Sequence, residues 1–344
     1  MTRIVLLLCF SICAPAILLA EDPASLKIRC LETDDAIVVK LGDKHVLQYN
    51  KTTRESPEGI DPVYRRGGHI HPVYTPDGKE LTGDFPADHP HQHGLFSAWR
   101  IVEFEGRKIS FWDQLSQTGR TSHAKVISTD DGTASGKFVV ELLLEDLTAP
   151  AGPKPVLRET WTVEVFNRGN DAFVFDIKTE QRCAGPSPVT IPKYHYGGMA
   201  IRGNDQWFSN QAQAAYSDWE KRLKSAPDTP RPPLDVMRHD FLTSEGRHQY
   251  DGNHTRPNWV DLYGPIDSDT AGIAILCHTD NFRAPQHVRL HPSKPYFCFS
   301  PMVDEAFEIT PAKPFSSKYR FVVHRGEPKS DAIDAEWKRF AGEF

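Results

Sequence analysis

The sequence has little cysteine: six residues in 344, two of them within the first 20. None forms a CxxC pair, so a thiolate zinc site has no support. Lys and Arg nowhere gather into a basic stretch, and the formal net charge is −6. Nucleic-acid binding needs a concentrated basic face and is not expected. After residue 20 no apolar run is long enough to span a bilayer, so the mature chain should carry no membrane span. The HExxH signature of one zinc-enzyme class does not occur. Neither do internal repeats or low-complexity tracts.

At the N-terminus, Thr2 and Arg3 precede 17 uncharged, mostly apolar residues from Ile4 to Ala20, and Glu21 and Asp22 follow at once. A basic start, an apolar run and a small residue before a polar segment describe a signal peptide over residues 1–20, cleaved after Ala20. A membrane-anchoring helix is the alternative. Export as a secreted or periplasmic protein is the expectation. It would permit disulfides among Cys30, Cys183, Cys277 and Cys298, although three of these lie in apolar runs where a free thiol fits equally well.

The remainder, 21–344, reads as a single all-β domain. "AIVVKLGDKHVLQY" is a hairpin turning at Gly42-Asp43. "GKFVVELLLE", "RETWTVEVFN", "AFVFDIKTEQRC", "AGIAILCH", "PYFCFS" and "KYRFVVH" carry the alternation and β-branched or aromatic content of strands. Short strands between Gly, Pro and Asp clusters predict a large two-sheet β-sandwich. Ser330 can cap a C-terminal helix whose Ile333, Trp337 and Phe340 share one face. The polar stretch 209–258 breaks the strand pattern, with a short helix possible at "AAYSDWEKRL". It reads as a long insertion or lid loop.

Five of the fifteen histidines fall between His69 and His93. In extended chain, His69 and His71 share one face, and His89, His91 and His93 share another if Pro90 keeps the backbone extended. Imidazole at this density suits a divalent transition metal held by His69, His71, His89, His91 and His93. It equally suits acid/base or ligand-binding work without metal, or a structural polar network. "KYHYGGMAIRG" offers His195, Tyr196 and Arg202 around two glycines that imply a tight turn or close backbone approach. "CHTDNFRAPQHVRLHP" offers His278, Asp280, Asn281, Arg283, His287 and His291 in a strand-end loop, where binding residues concentrate. Trp99 and other tryptophans, read as core or as ring platforms, complete a set suited to a polyhydroxylated ligand.

Several long stretches, "HIHPVYTPDGKELTGDFPADHPHQHGLFSAW", "YHYGGMAIRG", "WVDLYGPID", "GIAILCHTDNFRAPQHVRLHPSKPYFCFSP" and "YRFVVHRGEP", together resemble a bacterial PmoA-like family labelled methane oxygenase. The resemblance covers about Leu26 to Phe340. It implies that His71, His89, His91, His195 and Arg202 sit in shared motifs, and that His93 replaces an Arg of the relatives' H-H-R-G. The oxygenase label itself belongs to a multi-helix membrane subunit of a copper enzyme, and this chain has no such helices.

Three functions follow as expectations. The first is an exported carbohydrate-active enzyme of epimerase, lyase or hydrolase type, similar at fold level to mutarotase and polysaccharide lyase supersandwiches. Its catalytic groups would be His71, His89, His91, His195 and Asp280, with Arg202, Asn281, Arg283, His287, Trp99 and Tyr196 binding substrate. The second is a metal-dependent oxidase or oxygenase using copper, iron or zinc. The third is a non-catalytic sugar-binding envelope protein.

Overall fold

The strand Ser135–Asp146 buries every second residue, as a sheet with one wet face requires. Its neighbours Lys154–Phe166 and Ala172–Cys183 largely do the same. In the computed structural model, which describes residues 26–169 and 171–342, these strands belong to one of two eight-stranded sheets. The expected signal peptide lies outside the described residues.

The first sheet runs Ile28–Glu32, Ala36–Leu41, Lys44–Asn50, His69–Val73, Leu95–Ala98, Gly198–Arg202, Tyr296–Ser300 and His287–Leu290. The second runs Asp240–Thr243, Trp259–Ile266, Asp269–Cys277, Phe315–Arg325, Ala172–Cys183, Lys154–Phe166, Ser135–Asp146 and Gly119–Asp130. A four-stranded sheet completes the set: Phe307–Ile309, Val189–Ile191, Val102–Phe104 and Arg107–Ile109. Pairing is antiparallel in all three. The fold is therefore all-β, and the two large sheets enclose one continuous apolar core.

The predicted hairpin turns where expected, with Gly42 at φ +59° between strands Ala36–Leu41 and Lys44–Asn50. The C-terminal helix spans Ser330–Ala341 and buries Ile333, Trp337 and Phe340 against Trp259, Ala274 and Leu276 of the second sheet. Ser330 is its first helical residue rather than its cap. Lys329 holds the cap position and makes no side-chain cap bond. The four cysteines among the described residues are all free thiols.

The 209–258 stretch contains more regular structure than its polarity suggests. Ser209 caps a 16-residue helix, Asn210–Ser225, by accepting the Ala212 N–H. Asp240–Thr243 adds an edge strand to the second sheet, while backbone bonds join His254 and Thr255 to Val288 at the edge of the first.

One polar group is set deep in this core. Glu159 is fully buried, opposite Gln181 in the second sheet. Donors of Trp161, Gln181 and Ser97 lie near its carboxyl, yet neither carboxyl oxygen makes a well-formed hydrogen bond. Burial, only partly offset by these donors and by Arg66, pushes its pKa up to about 7. The unfolded chain loses this proton near pH 4.5 and the native chain near 7, so stability should fall as pH rises through that window. The loss is about 3 kcal/mol when complete. Urea melts at pH 4.5, 6 and 8 should show this slope in the wild type and not in Glu159→Gln. An unchanged slope in the variant would assign it to another group.

Candidate functional site

The strands His69–Val73, Leu95–Ala98, Gly198–Arg202 and Tyr296–Ser300 are buried at every position. Alternation alone would leave one face wet, so the outer face of the first sheet must be covered. Ile70, Leu95, Ile201, Phe297 and Phe299 share one face by register, and Phe297 and Phe299 meet Phe241 and Tyr319 of the second sheet, so that face turns inward to the core. The residues between them, His69, His71, Phe96, Arg202, Tyr296 and Cys298, therefore turn outward. Val288 and Leu290 face the core, which puts His287, Arg289 and His291 on that same outer face.

The cover is the excursion between Leu81 and Leu95, which carries the DHPHQHG motif. Gly94 closes it: its N–H donates to Gly83 O and its carbonyl accepts from Arg202 N. At φ +48°, a Cβ on Gly94 would lie 2.1 Å from Ile70 O, so only glycine allows the loop to lie this flat on the sheet. Gly198 meets the same constraint, with its missing Cβ 2.5 Å from Phe299 O.

Two polar clusters form under and within this cover. In the first, His93 Nδ1 donates to Asp84 Oδ1 at 2.8 Å, and His69 Nε2 lies 3.4 Å from Asp84 Oδ2. Arg54 lies 3.3 Å from the same carboxylate, and Gln114 Oε1 is 3.2 Å from His93 Nε2. Burial lowers both histidines, His93 to about 4, so they are neutral at pH 7. Asp84 stays ionised despite its own burial because His69 and His93 bond to it. Ligand atoms of His69, Asp84 and His93 all lie within 4.8 Å of one another, a spacing that could hold a metal ion. His71 stands beside this group, with Nδ1 3.0 Å from Thr82 Oγ1.

The second cluster is built on Asp88. Arg202, fully buried, donates two parallel bonds to it, of 2.8 and 3.1 Å, and a third to Gln92 Oε1. Lys294 Nζ lies 3.0 Å away on the other side. His89 Nδ1 donates to Asp88 Oδ2 at 3.0 Å, which leaves Nε2 free to accept a proton. Burial opposes ionisation of Asp88, but the bonds from His89, Arg202 and Lys294 hold it well below the usual carboxylate range. A chain of rings extends from this pair: His91 and His291 lie 5.4 and 5.7 Å from His89. From His291 it continues through Tyr296, Trp112 and Tyr196 to His195, at spacings from 4.8 to 6.2 Å. Burial drives His91 and His291 each down to about 3, so both present neutral imidazole.

The motif histidines thus divide between two clusters. His89 and His91 do not share an extended face with His93, because bonds from His89 N to Pro86 O and from Gln92 N to His89 O wind residues 86–92 into turns. His69, His71 and His93 gather around Asp84 and Thr82, while His89, His91, His195, Tyr196 and Arg202 gather around Asp88 and the ring chain. The remaining sequence candidates are engaged in other contacts. Trp99 is in the core, donating to Gln181. Asn281 clips the backbone of Lys318, and Arg283 binds the carbonyls of Pro301 and Glu305. His287 pairs with Asp304, and the exposed Asp280 lies 3.6 Å from His278. Asn281, Arg283 and His287 tie separate segments together. Sequence reasoning passed over Lys294, Arg289 and Gln114. Alternation in "HVRLHP" would have placed His287, Arg289 and His291 on one face, whereas Lys294 and Gln114 carried no local signal.

A cavity of about 850 Å³ lies beside the first cluster, lined by Arg65, Arg66, Gln114, Arg120 and Thr121 among others. The proton-accepting geometry is nevertheless at His89. Chemistry, not volume, makes the second cluster the candidate site.

No curated protein matches the chain. Among solved structures, it is similar to a heparan sulfate lyase HepC mutant from Pedobacter heparinus, at 8% identity and TM-score 0.35, over 88% of this chain and 37% of that one. An alpha-N-acetylgalactosaminidase, NagBb from Bifidobacterium bifidum, gives 10% and 0.34 over 78% and 35%. An alpha-galactosidase from Lactobacillus brevis gives 11% and 0.29 over 87% and 39%. The chain spans little more than a third of these proteins' length, and likeness at this level assigns no activity. The PmoA-like resemblance is overturned, because the family model that matches is a different one. Residues 36–338 match the model of DUF6807, a family of unknown function, and the chain belongs to that family.

Proposed function

We propose that the protein is an exported carbohydrate-active enzyme whose site is the covered outer face of the first sheet, with His89 as the proton-transferring group. One observation carries this reading. Asp88, already neutralised by Arg202 and Lys294, orients His89 through Nδ1 and leaves Nε2 as an acceptor at the edge of a ring-lined surface. Such an arrangement suits proton transfer at a sugar carbon or hydroxyl. The neutral imidazoles of His91 and His291 bond hydroxyls without drawing charge, and the half-buried Tyr196 offers a ring to sugar C–H groups. Epimerisation, elimination and hydrolysis all need this step. The first 20 residues support export to where such substrates occur. The test is a turnover screen of the mature protein on neutral and acidic oligosaccharides, read by product mass and NMR. Turnover lost in His89→Ala supports the proposal. No turnover on any saccharide tested, by folded protein, contradicts it.

A second reading, a metal-dependent enzyme, rests on the His69–Asp84–His93 spacing. Arg54 and the imidazole N–H of His93 already satisfy Asp84, and a divalent cation would have to displace both. Elemental analysis of protein purified without chelator should therefore find no stoichiometric transition metal. Near-stoichiometric metal in the wild type that disappears in His69→Ala would favour the second reading.

A further inference from the structure

We infer that this site selects anionic saccharides, with Arg289 binding a carboxylate or sulfate of the sugar. This rests on the reading of the outer face as a saccharide site and adds the substrate class to it.

Arg289 lies in the edge strand His287–Leu290, directly across from Cys298. Cys298 lies across from Ala200, and Ala200 from Phe96, so Arg289 stands at one end of the row of outward-facing positions that crosses the site. Its neighbour two residues on is His291, whose ring contacts His89 and Tyr296. The half-buried side chain donates one bond, to the Leu290 carbonyl, and no carboxylate pairs with it among the described residues. Arg100, which donates to Tyr196, is by contrast paired with Asp113 3.2 Å away. Arg202 and Lys294 share the single carboxylate of Asp88.

Imidazoles, phenols and a thiol feel the Arg289 charge. His195, His254 and His291 are all lowered by burial first and by the Arg289 charge second. A guanidinium surrounded by neutral imidazoles and phenols keeps its full field. It also offers a planar fork of donors that matches a carboxylate or sulfate. A neutral sugar would leave that charge uncompensated. A uronate or sulfated residue would neutralise it and leave its hydroxyls for the imidazoles. The carboxylates Asp84, Asp88 and Asp113 are each already paired with a cation, so they would not repel an anion strongly.

The experiment compares binding of trigalacturonate with binding of its neutral reduced analogue, trigalactose, by calorimetry in low salt. The proteins are the wild type, Arg289→Gln, Arg289→Lys and Arg158→Gln. The last removes an equal charge from the exposed surface of the second sheet, where Arg158 pairs with Glu141. The expected result is preference for the uronide by tenfold or more, lost in Arg289→Gln, partly kept in Arg289→Lys and unchanged in Arg158→Gln. Equal affinity for both sugars, or a preference that survives Arg289→Gln, would overturn the inference and leave the saccharide site standing. A preference lost equally in Arg158→Gln would overturn it as general charge attraction. Binding of neither sugar by folded wild type would overturn this inference and count against the saccharide site as well.

Discussion

Replacing Arg202 by methionine should destabilise the protein by about 3–5 kcal/mol, the range for breaking a buried pair by removing one partner. Arg202 is fully buried, and the Asp88 side chain is 9% exposed. Methionine fills much of the volume but supplies no donor, so the carboxylate keeps Lys294 and His89 and loses its strongest bonds. Gln92 loses its partner as well. The loop from Leu81 to Leu95 should loosen first, because Arg202 ties its tip to the sheet. Urea denaturation measures the total, and amide exchange on residues 84–94 measures the local part. A change below about 1 kcal/mol, the worth of a surface pair, would mean that the Asp88 cluster is not the anchor of the cover.

His89→Ala should lower kcat/KM on the active saccharide by about 10²–10⁴-fold, the usual contribution of a positioned general acid or base. Stability should change little, since the His89 side chain is 30% exposed and its one hydrogen bond is to an Asp88 that keeps Arg202 and Lys294. This combination separates the two roles within one cluster: Arg202 sets geometry and His89 moves the proton. Asp88→Asn should fall between them, because the amide can still accept from His89 but no longer balances two cations. Full activity in folded His89→Ala protein would exclude His89 as the proton-transferring group and turn attention to Tyr196 and His91.

Most of the fold was legible in the sequence because its signal is local. Alternation in Ser135–Asp146 and Lys154–Phe166, the Gly42 turn and the Ile333–Trp337–Phe340 stripe each follow from a few neighbouring residues. The helix Asn210–Ser225 was only partly visible, as Tyr216 and Trp219 pack on Met237 within an otherwise polar segment. The site was legible as composition but not as geometry. The DHPHQHG motif announced a histidine cluster, and the turns around Pro90 then divided it between Asp84 and Asp88. Lys294, 206 positions from Asp88 by the sequence numbering, reaches it only because strand Tyr296–Ser300 pairs with Gly198–Arg202. Asn281 and Arg283 looked like binding residues because clamping a loop and binding a ligand use the same side-chain chemistry.

The central claim is that saccharide binds over the Asp88–His89 pair rather than in the cavity beside Gln114. Histidine- and arginine-selective NMR on the mature protein, titrated with trigalacturonate, locates the ligand directly. The account predicts shifts at His89, His91 and His291, and none at Arg65 or Arg120. Shifts confined to Arg65, Arg66 and Arg120, with the three imidazoles unmoved, would place the ligand in the cavity and contradict the account.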